Sequence, residues 1–383
     1  MELFLIFSLY LLISLFLYNY FIYPAGIIFI SKLVNNKHKP SSLDSYPSVS
    51  FIIAAYNEDK VIREKIINTL ELDYPEDKFQ IIIVSDGSDD NTPKIANEYA
   101  DSNFIAIHDA QRNGKSSALN RAVEFATGEI LVFSDANNDF SKNAIHELVK
   151  HFSDVNIAAV TGSKRIYKNS DRQSAEGDDL YWKYESAIKQ AESHLGSITA
   201  AEGEILAVRK SSFNPIDPTL INDDAAITFD IVKSGSRIIY ESNAIAYEEA
   251  SKNIMDDLRV KIRMTSGGFQ TIVREFAFLF PPLSWFSFTF WSHKILRWLA
   301  PHFMILILLL SVLLSHRADG LFLLITQLLF YAISFYGWRN RESDLPSYIY
   351  IPMYFTSMNI ALFIGFIKFL AKKQNVQWTK AER

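Results

Sequence analysis

"FQIIIVSDGSDDNTPKIANEYA", residues 79–100, reads as one structural unit in three parts. The run 79–85 is dense in branched apolar residues, which suits a strand buried on both faces in the middle of a parallel sheet. An acidic turn follows, Asp86-Gly87-Ser88-Asp89-Asp90, and then a stretch whose apolar residues recur at helical spacing. The same order repeats on either side. "VSFIIAA" (49–55) precedes a helical pattern from Glu58 to Leu72, "FIAIH" (104–108) precedes "KSSALNRAVEFA", and "EILVFS" (129–134) precedes "NAIHELVKHF". Successive strand–helix units predict an α/β domain with a mainly parallel sheet and helices on both faces. Ligands of such sheets gather where strands end at their carboxyl side. The polar clusters fall there: Tyr56-Asn57-Glu58, Asp86 to Asp90, Arg112 to Lys115, and Asp135-Ala136-Asn137. A single carboxylate in such a loop is as well explained by helix capping; several clusters on one edge point to a ligand.

Two nucleotide-binding motifs are excluded. Gly114-Lys115-Ser116 ends like an ATPase phosphate loop, but the position that needs the first glycine holds Asp109, which would repel phosphate. No Gly-x-Gly-x-x-Gly follows the first strand, which argues against a dinucleotide-dependent dehydrogenase. A net charge of −5 with no basic face in the central region argues against nucleic acid as a partner.

The chain of 383 residues is 49% hydrophobic, with 29 Phe and no Cys, too apolar for an ordinary soluble protein and too charged for a pure membrane bundle. The apolar residues crowd the ends. Residues 3–30 carry no charge and exceed the roughly 20 residues that span the hydrocarbon, so 1–30 is expected to be a retained anchor. Further candidates lie at 299–315, 320–337 and 348–370. The intended division is an anchor (1–30), a basic juxtamembrane linker (31–48), a soluble domain (49–255), amphipathic interface helices (256–298), a C-terminal bundle of about three spans (299–370) and a polar tail (371–383). In 256–298 the tryptophans alternate with Lys294 and Arg297, a mixture suited to the headgroup layer. The basic linker predicts a multi-pass protein of the cell membrane with its large domain in the cytoplasm.

The succession "AAYNE", "VSDGSDDNT", "NGKSSALN", "FSDAN" and "INDDAAITFDIVKSGSRIIYE" resembles the membrane-bound family 2 glycosyltransferases, which include the cellulose, hyaluronan and poly-N-acetylglucosamine synthases. The resemblance covers nearly the whole chain. It implies a GT-A nucleotide-sugar-binding fold and inverting transfer from a nucleotide-sugar, UDP being the commonest nucleotide of the family, to a saccharide or lipid-linked acceptor. Other polysaccharide-assembly proteins would be further partners.

Roles then follow residue by residue from the resemblance. Asp86 matches the aspartate that contacts the base, with Ala55, Tyr56, Asn57 and Glu58 lining the same pocket. Lys115 matches the lysine beside the diphosphate. Asp135 matches the first aspartate of the Asp-x-Asp metal motif, which implies Mg²⁺ or Mn²⁺; the third position is Asn137, an oxygen ligand without charge. Asp224 matches the catalytic base, with Asp223, Gly203 and Trp182 on the acceptor side. Arg263 corresponds to the arginine of the interface motif of processive members, whereas the following tryptophan is Met264 here. That departure puts long-chain polymerisation by the same mechanism in doubt. A non-catalytic membrane scaffold is the alternative, and the presence of Asp86, Asp135 and Asp224 argues against it. A transporter would need charged or broken helices at mid-membrane.

Overall fold

The computed structural model describes residues 1–34, 45–167, 173–249 and 254–373, with the backbone alone for 173–181. Most of the expected linker and of the expected polar tail lie outside these residues. The strands are β1 (Val49–Ala55), β2 (Phe79–Asp86), β3 (Phe104–Asp109), β4 (Ile130–Asp135), β5 (Asn138–Phe140), β6 (Ile157–Ile166), β7 (Ile205–Arg209) and β8 (Arg237–Glu248). They form one sheet in the order β3-β2-β1-β4-β7-β6-β8-β5. The half from β3 to β4 is parallel, as expected. Beyond β4 the sheet is mixed: β7 runs antiparallel to β4 and β6, β8 runs parallel to β6, and β5 closes the edge antiparallel to β8.

The helices, numbered along the chain with one-turn pieces left unnumbered, are α1 (Glu2–Leu33), α2 (Ile62–Leu70), α3 (Thr92–Asn97), α4 (Lys115–Phe125), α5 (Ala144–Val149), α6 (Gln173–Leu195), α7 (Asp223–Lys233), α8 (Ile254–Arg274), α9 (Trp285–Leu313), α10 (Ala318–Arg339) and α11 (Ser347–Leu370). Alternation along β1 builds two cores. Phe51 and Ile53 pack with Ile62 and Ile66 of α2 and Ile145 and Leu148 of α5, while Ile52 and Ala54 pack with Leu119 of α4 and Ile227 and Ile231 of α7. A strand covered on both faces has no polar side, which is why β1 and β2 read as continuous apolar runs.

α1, α9, α10 and α11 are long and apolar enough to cross a membrane. The stretch expected as interface helices, 256–298, divides. Its first part is α8, and from Trp285 onward it is the opening of α9, which continues to Leu313. The cations read as headgroup contacts turn inward instead. Lys294 and Arg297 both pair with Glu185 of α6, Lys294 at 3.2 Å. His293 is fully buried, with Nδ1 2.8 Å from Glu192 and Nε2 3.2 Å from Glu185. Glu192 also accepts from Tyr23 of α1 at 2.8 Å and from the Thr199 N–H at 3.1 Å. α6 thereby joins the sheet domain to two of the apolar helices.

Candidate active site

The parallel register brings four strand ends to one edge. Ala55 lies beside Ser85, Ala54 beside Asp135, and Asp86 beside Asp109. The loops after them leave the sheet side by side. Asn57 adopts a left-handed backbone, φ 53°, a conformation asparagine tolerates better than most residues. Its amide exchanges hydrogen bonds with Asp89 at 2.7 and 3.0 Å, and the Glu58 N–H donates to Thr92 at 2.8 Å. Asn57 and Glu58 therefore stitch the β1 loop to the β2 loop, and Glu58 itself is buried. Tyr56 lies under the Arg112 guanidinium, 3.6 Å from ring centroid to charge centre.

Asp86 is fully buried. Its oxygens accept from the backbone N–H of Asn113 at 3.1 Å and of Gly114 at 2.7 Å, and Arg121 approaches at 3.3 Å. The carboxylate thus shapes the turn that launches α4. Gly87 lets that turn come close, since a Cβ there would lie 2.6 Å from Arg112 Cβ. Gly114, at φ +93°, then starts α4 with Lys115 as its first residue.

Lys115 is where the expected residues meet. Its Nζ lies 2.7 Å from Asp135 and 3.5 Å from Asp223. Burial opposes its charge, but Asp135 and then Asp223 outweigh that and hold the ammonium above the ordinary lysine range. Asp223 and Asp224 open α7 in its first turn, where the helix dipole favours carboxylates. Gly203 faces them: a Cβ there would fall 3.3 Å from Asp224 Cβ and 3.8 Å from Lys115 Nζ. Burial first, and the Asp223 charge second, push the Asp224 carboxyl up to about 7. A carboxylate tuned towards neutral pH is suited to accept a proton there.

Next to this cluster lies a second set of charges that the sequence reading did not single out. Glu202 and Glu204 flank Gly203; Glu202 pairs with Lys189 of α6, and Lys164 joins Glu204 at 3.2 Å to Glu248. Trp182 covers Lys164, 5.4 Å from ring centroid to ammonium. The Glu-Gly-Glu pattern around Gly203, which the resemblance puts on the acceptor side, was the available signal for the first two. Nothing local marks Glu248 or Lys164, which meet only because β6 and β8 pair.

Asn137 donates its amide nitrogen to Glu248 at 3.2 Å, and its amide oxygen is a hard donor two residues along the chain from Asp135. Among the described residues no group of three or more His, Cys, Asp or Glu side chains is arranged to hold a metal. Asp135 and Asn137 fit a Mg²⁺-like ion that takes its remaining ligands from water and phosphate oxygens. Arg263 is half-buried on α8, one turn before Gly267. At Gly267 a Cβ would fall 2.5 Å from Asn222, and the Met264 carbonyl accepts from Asn222 at 3.0 Å, so α8 docks on the loop that leads into Asp223. No contact among the described residues joins Arg263 to Lys115 or Asp135. Met264 is 45% exposed.

Residues 50–214 match the profile of glycosyl transferase family 2. Poly-beta-1,6-N-acetyl-D-glucosamine synthase of Staphylococcus aureus (strain COL) is 27% identical over 246 residues, 63% of this chain and 59% of the relative. The enzyme of that name from Staphylococcus epidermidis is 27% identical over 249 residues, 64% of this chain and 59% of the relative. The chain therefore spans 59% of the length of these curated relatives. Among solved structures, a mannosyltransferase from Pyrobaculum calidifontis in complex with GDP-Man and Mn²⁺ superposes with a TM-score of 0.73 at 21% identity, covering 96% of this chain and 100% of that one. That likeness speaks for the fold alone. The matched segment carries β1 to β7 with Asp86, Lys115 and Asp135 on their common edge; residues 50–214 are thus similar to glycosyl transferase family 2, and the fold is GT-A-like.

Proposed function

We propose that this protein moves a sugar from a nucleoside diphosphate to a saccharide or lipid-linked acceptor at the membrane, in exopolysaccharide or cell-surface synthesis. The domain would face the cytoplasm. The observation that carries the proposal is the convergence of Lys115, Asp135, Asp223 and Asp224 around Gly203. The names of the curated relatives support a polysaccharide product.

In this reading the β1 and β2 loops form the base side of the pocket: Tyr56 and Arg112 offer flat faces, and Asp86 holds the turn that frames them. Lys115 neutralises the departing diphosphate as a point charge. A divalent cation on Asp135 and Asn137 would supply further neutralisation when bound. Arg263, on α8, would meet a phosphate oxygen of the donor in this reading. Asp224 takes the acceptor hydroxyl proton while that oxygen attacks the anomeric carbon opposite the diphosphate, which inverts the configuration. Glu202, Glu204 and Glu248 offer acceptors to sugar hydroxyls, and Trp182 offers a stacking face.

The test is nucleotide release by purified full-length protein with Mn²⁺ or Mg²⁺ across a panel of UDP- and GDP-sugars, with and without oligosaccharide acceptors. Release from one donor, accompanied by a product of inverted anomeric configuration, is expected. No release from any donor, or a product of retained configuration, contradicts the proposal.

A further inference from the structure

Lys65 of α2 is 1% exposed, and no ion pair among the described residues includes it. Its Nζ donates to the backbone oxygen and to the side-chain oxygen of Asn138, both at 2.8 Å. The rings of Phe140 and Phe51 enclose it, with centroids 4.6 and 5.4 Å from the ammonium. Burial pushes the Lys65 amine down to about 7 against the charges of Asp139 and Asp135, and an apolar side chain of similar length usually costs less to bury. Packing gives no reason for a charge here, since α2 turns Ile62 and Ile66 into the same core.

The reason lies beyond Asn138. Its side-chain oxygen also accepts from Ser134, the residue before Asp135, at 2.9 Å, and its nitrogen donates to the Glu204 backbone oxygen at 3.1 Å. One amide thus joins the turn that carries Asp135 and Asn137 to the loop that carries Glu202 and Gly203, and the buried ammonium fixes that amide in place. We propose that Lys65 is a positioning residue that locks the donor-side turn to the acceptor-side loop through Asn138. It touches neither substrate. The proposal rests on the glycosyl-transfer reading of the site.

The experiment compares full-length wild type, Lys65→Met and Asn138→Asp. It reads thermal unfolding, hydrogen exchange of the amides at 135–140 and 202–206 without ligand, and kcat and KM for the donor that the wild type uses. For Lys65→Met the expectation is a melting temperature near wild type, at least about tenfold faster exchange in both segments, and a kcat reduced by about 10–100-fold with a smaller change in KM, because misplacement by about 1 Å costs on that order. Asn138→Asp gives Lys65 a counter-charge and so keeps the fold, but it loses the donor to Glu204; exchange should rise at 202–206 and kcat should fall. Wild-type exchange and kcat in either variant, with only the melting temperature lowered, overturn the proposal. If Lys65→Met does not fold, Asn138→Asp decides by the same criterion. A wild type that turns over no sugar nucleotide refutes the transfer reading, while exchange in the unliganded protein still decides the role of Lys65.

Discussion

Asp223 and Asp224 are neighbours at one helix start, yet their surroundings separate them. Asp223 reaches Lys115, whereas Asp224 lies against Gly203 with its carboxyl pushed up to about 7 by burial and by Asp223. A base is active when deprotonated, so its activity is lost as pH falls through that value. kcat/KM should rise about tenfold per pH unit below about 7 and level off above it; a profile flat from pH 5 to 8 would remove Asp224 as the titrating base. Asp223→Asn removes only a partly exposed 3.5 Å pair, and turnover should fall by less than about tenfold, read by steady-state kinetics. On the donor side, Asp135→Ala should cost on the order of 10²–10³ in kcat and chelation should act likewise, whereas Asn137→Asp should lower the Mn²⁺ concentration for half activity without abolishing turnover. Full activity in excess chelator would take the metal out of the account. Lys115, Asp135 and Asp224 were legible because each stands in a motif at a strand or helix end. Lys65, Lys164 and Glu248 were not, because each is defined by a partner far away in sequence.

At the scale of elements, the alternation of β1 to β4 with their helices was readable from apolar runs, because those strands are covered on both faces. The mixed half was not: β6 includes Thr161, Gly162 and Ser163, and its partners run both ways. The opening of α9 misled for a physical reason. Aromatic and cationic residues in alternation look like a headgroup belt, and only the presence of Glu185 and Glu192 on α6 turns those cations inward. Burial raises the pKa of Glu192, but His293 and Tyr23 outweigh that and hold its carboxyl below the usual range. Its stabilising effect is therefore present above the ordinary glutamate pKa and is lost as pH falls through the lowered one. Glu192→Ala removes one of the two carboxylates on buried His293 and the acceptor of Tyr23 and of the Thr199 N–H, and should destabilise the protein by about 3–5 kcal/mol. Arg63→Ala, which breaks an exposed pair with Glu98, should cost under about 1 kcal/mol. Unfolding of both variants in the same detergent is the comparison; equal melting temperatures would deny α6 its role as the tie between domain and apolar helices.

For the whole molecule, the arrangement sets the candidate site beside helices long and apolar enough to cross a membrane. α6 connects Glu202 to α1 and α9 through Lys189, Glu192 and Glu185, and α8 docks on the loop that leads into Asp223. In the proposed reading, substrate positions are thereby tied to apolar helices rather than to a free domain. Where processive relatives of the resembling group carry a tryptophan, Met264 offers no stacking ring, so the product of this protein should be short, as read by mass spectrometry of the extended acceptor. The central claim is that Asp224 deprotonates the acceptor while Asp86, Lys115 and Asp135 serve the donor. Its most direct test is turnover and donor affinity of wild type and Asp224→Asn, measured side by side on full-length protein in lipid nanodiscs. The account predicts that Asp224→Asn loses about 10²–10⁴ in turnover and binds the donor as the wild type does. Near-normal turnover in that variant, or a loss explained by weakened donor binding, would contradict it.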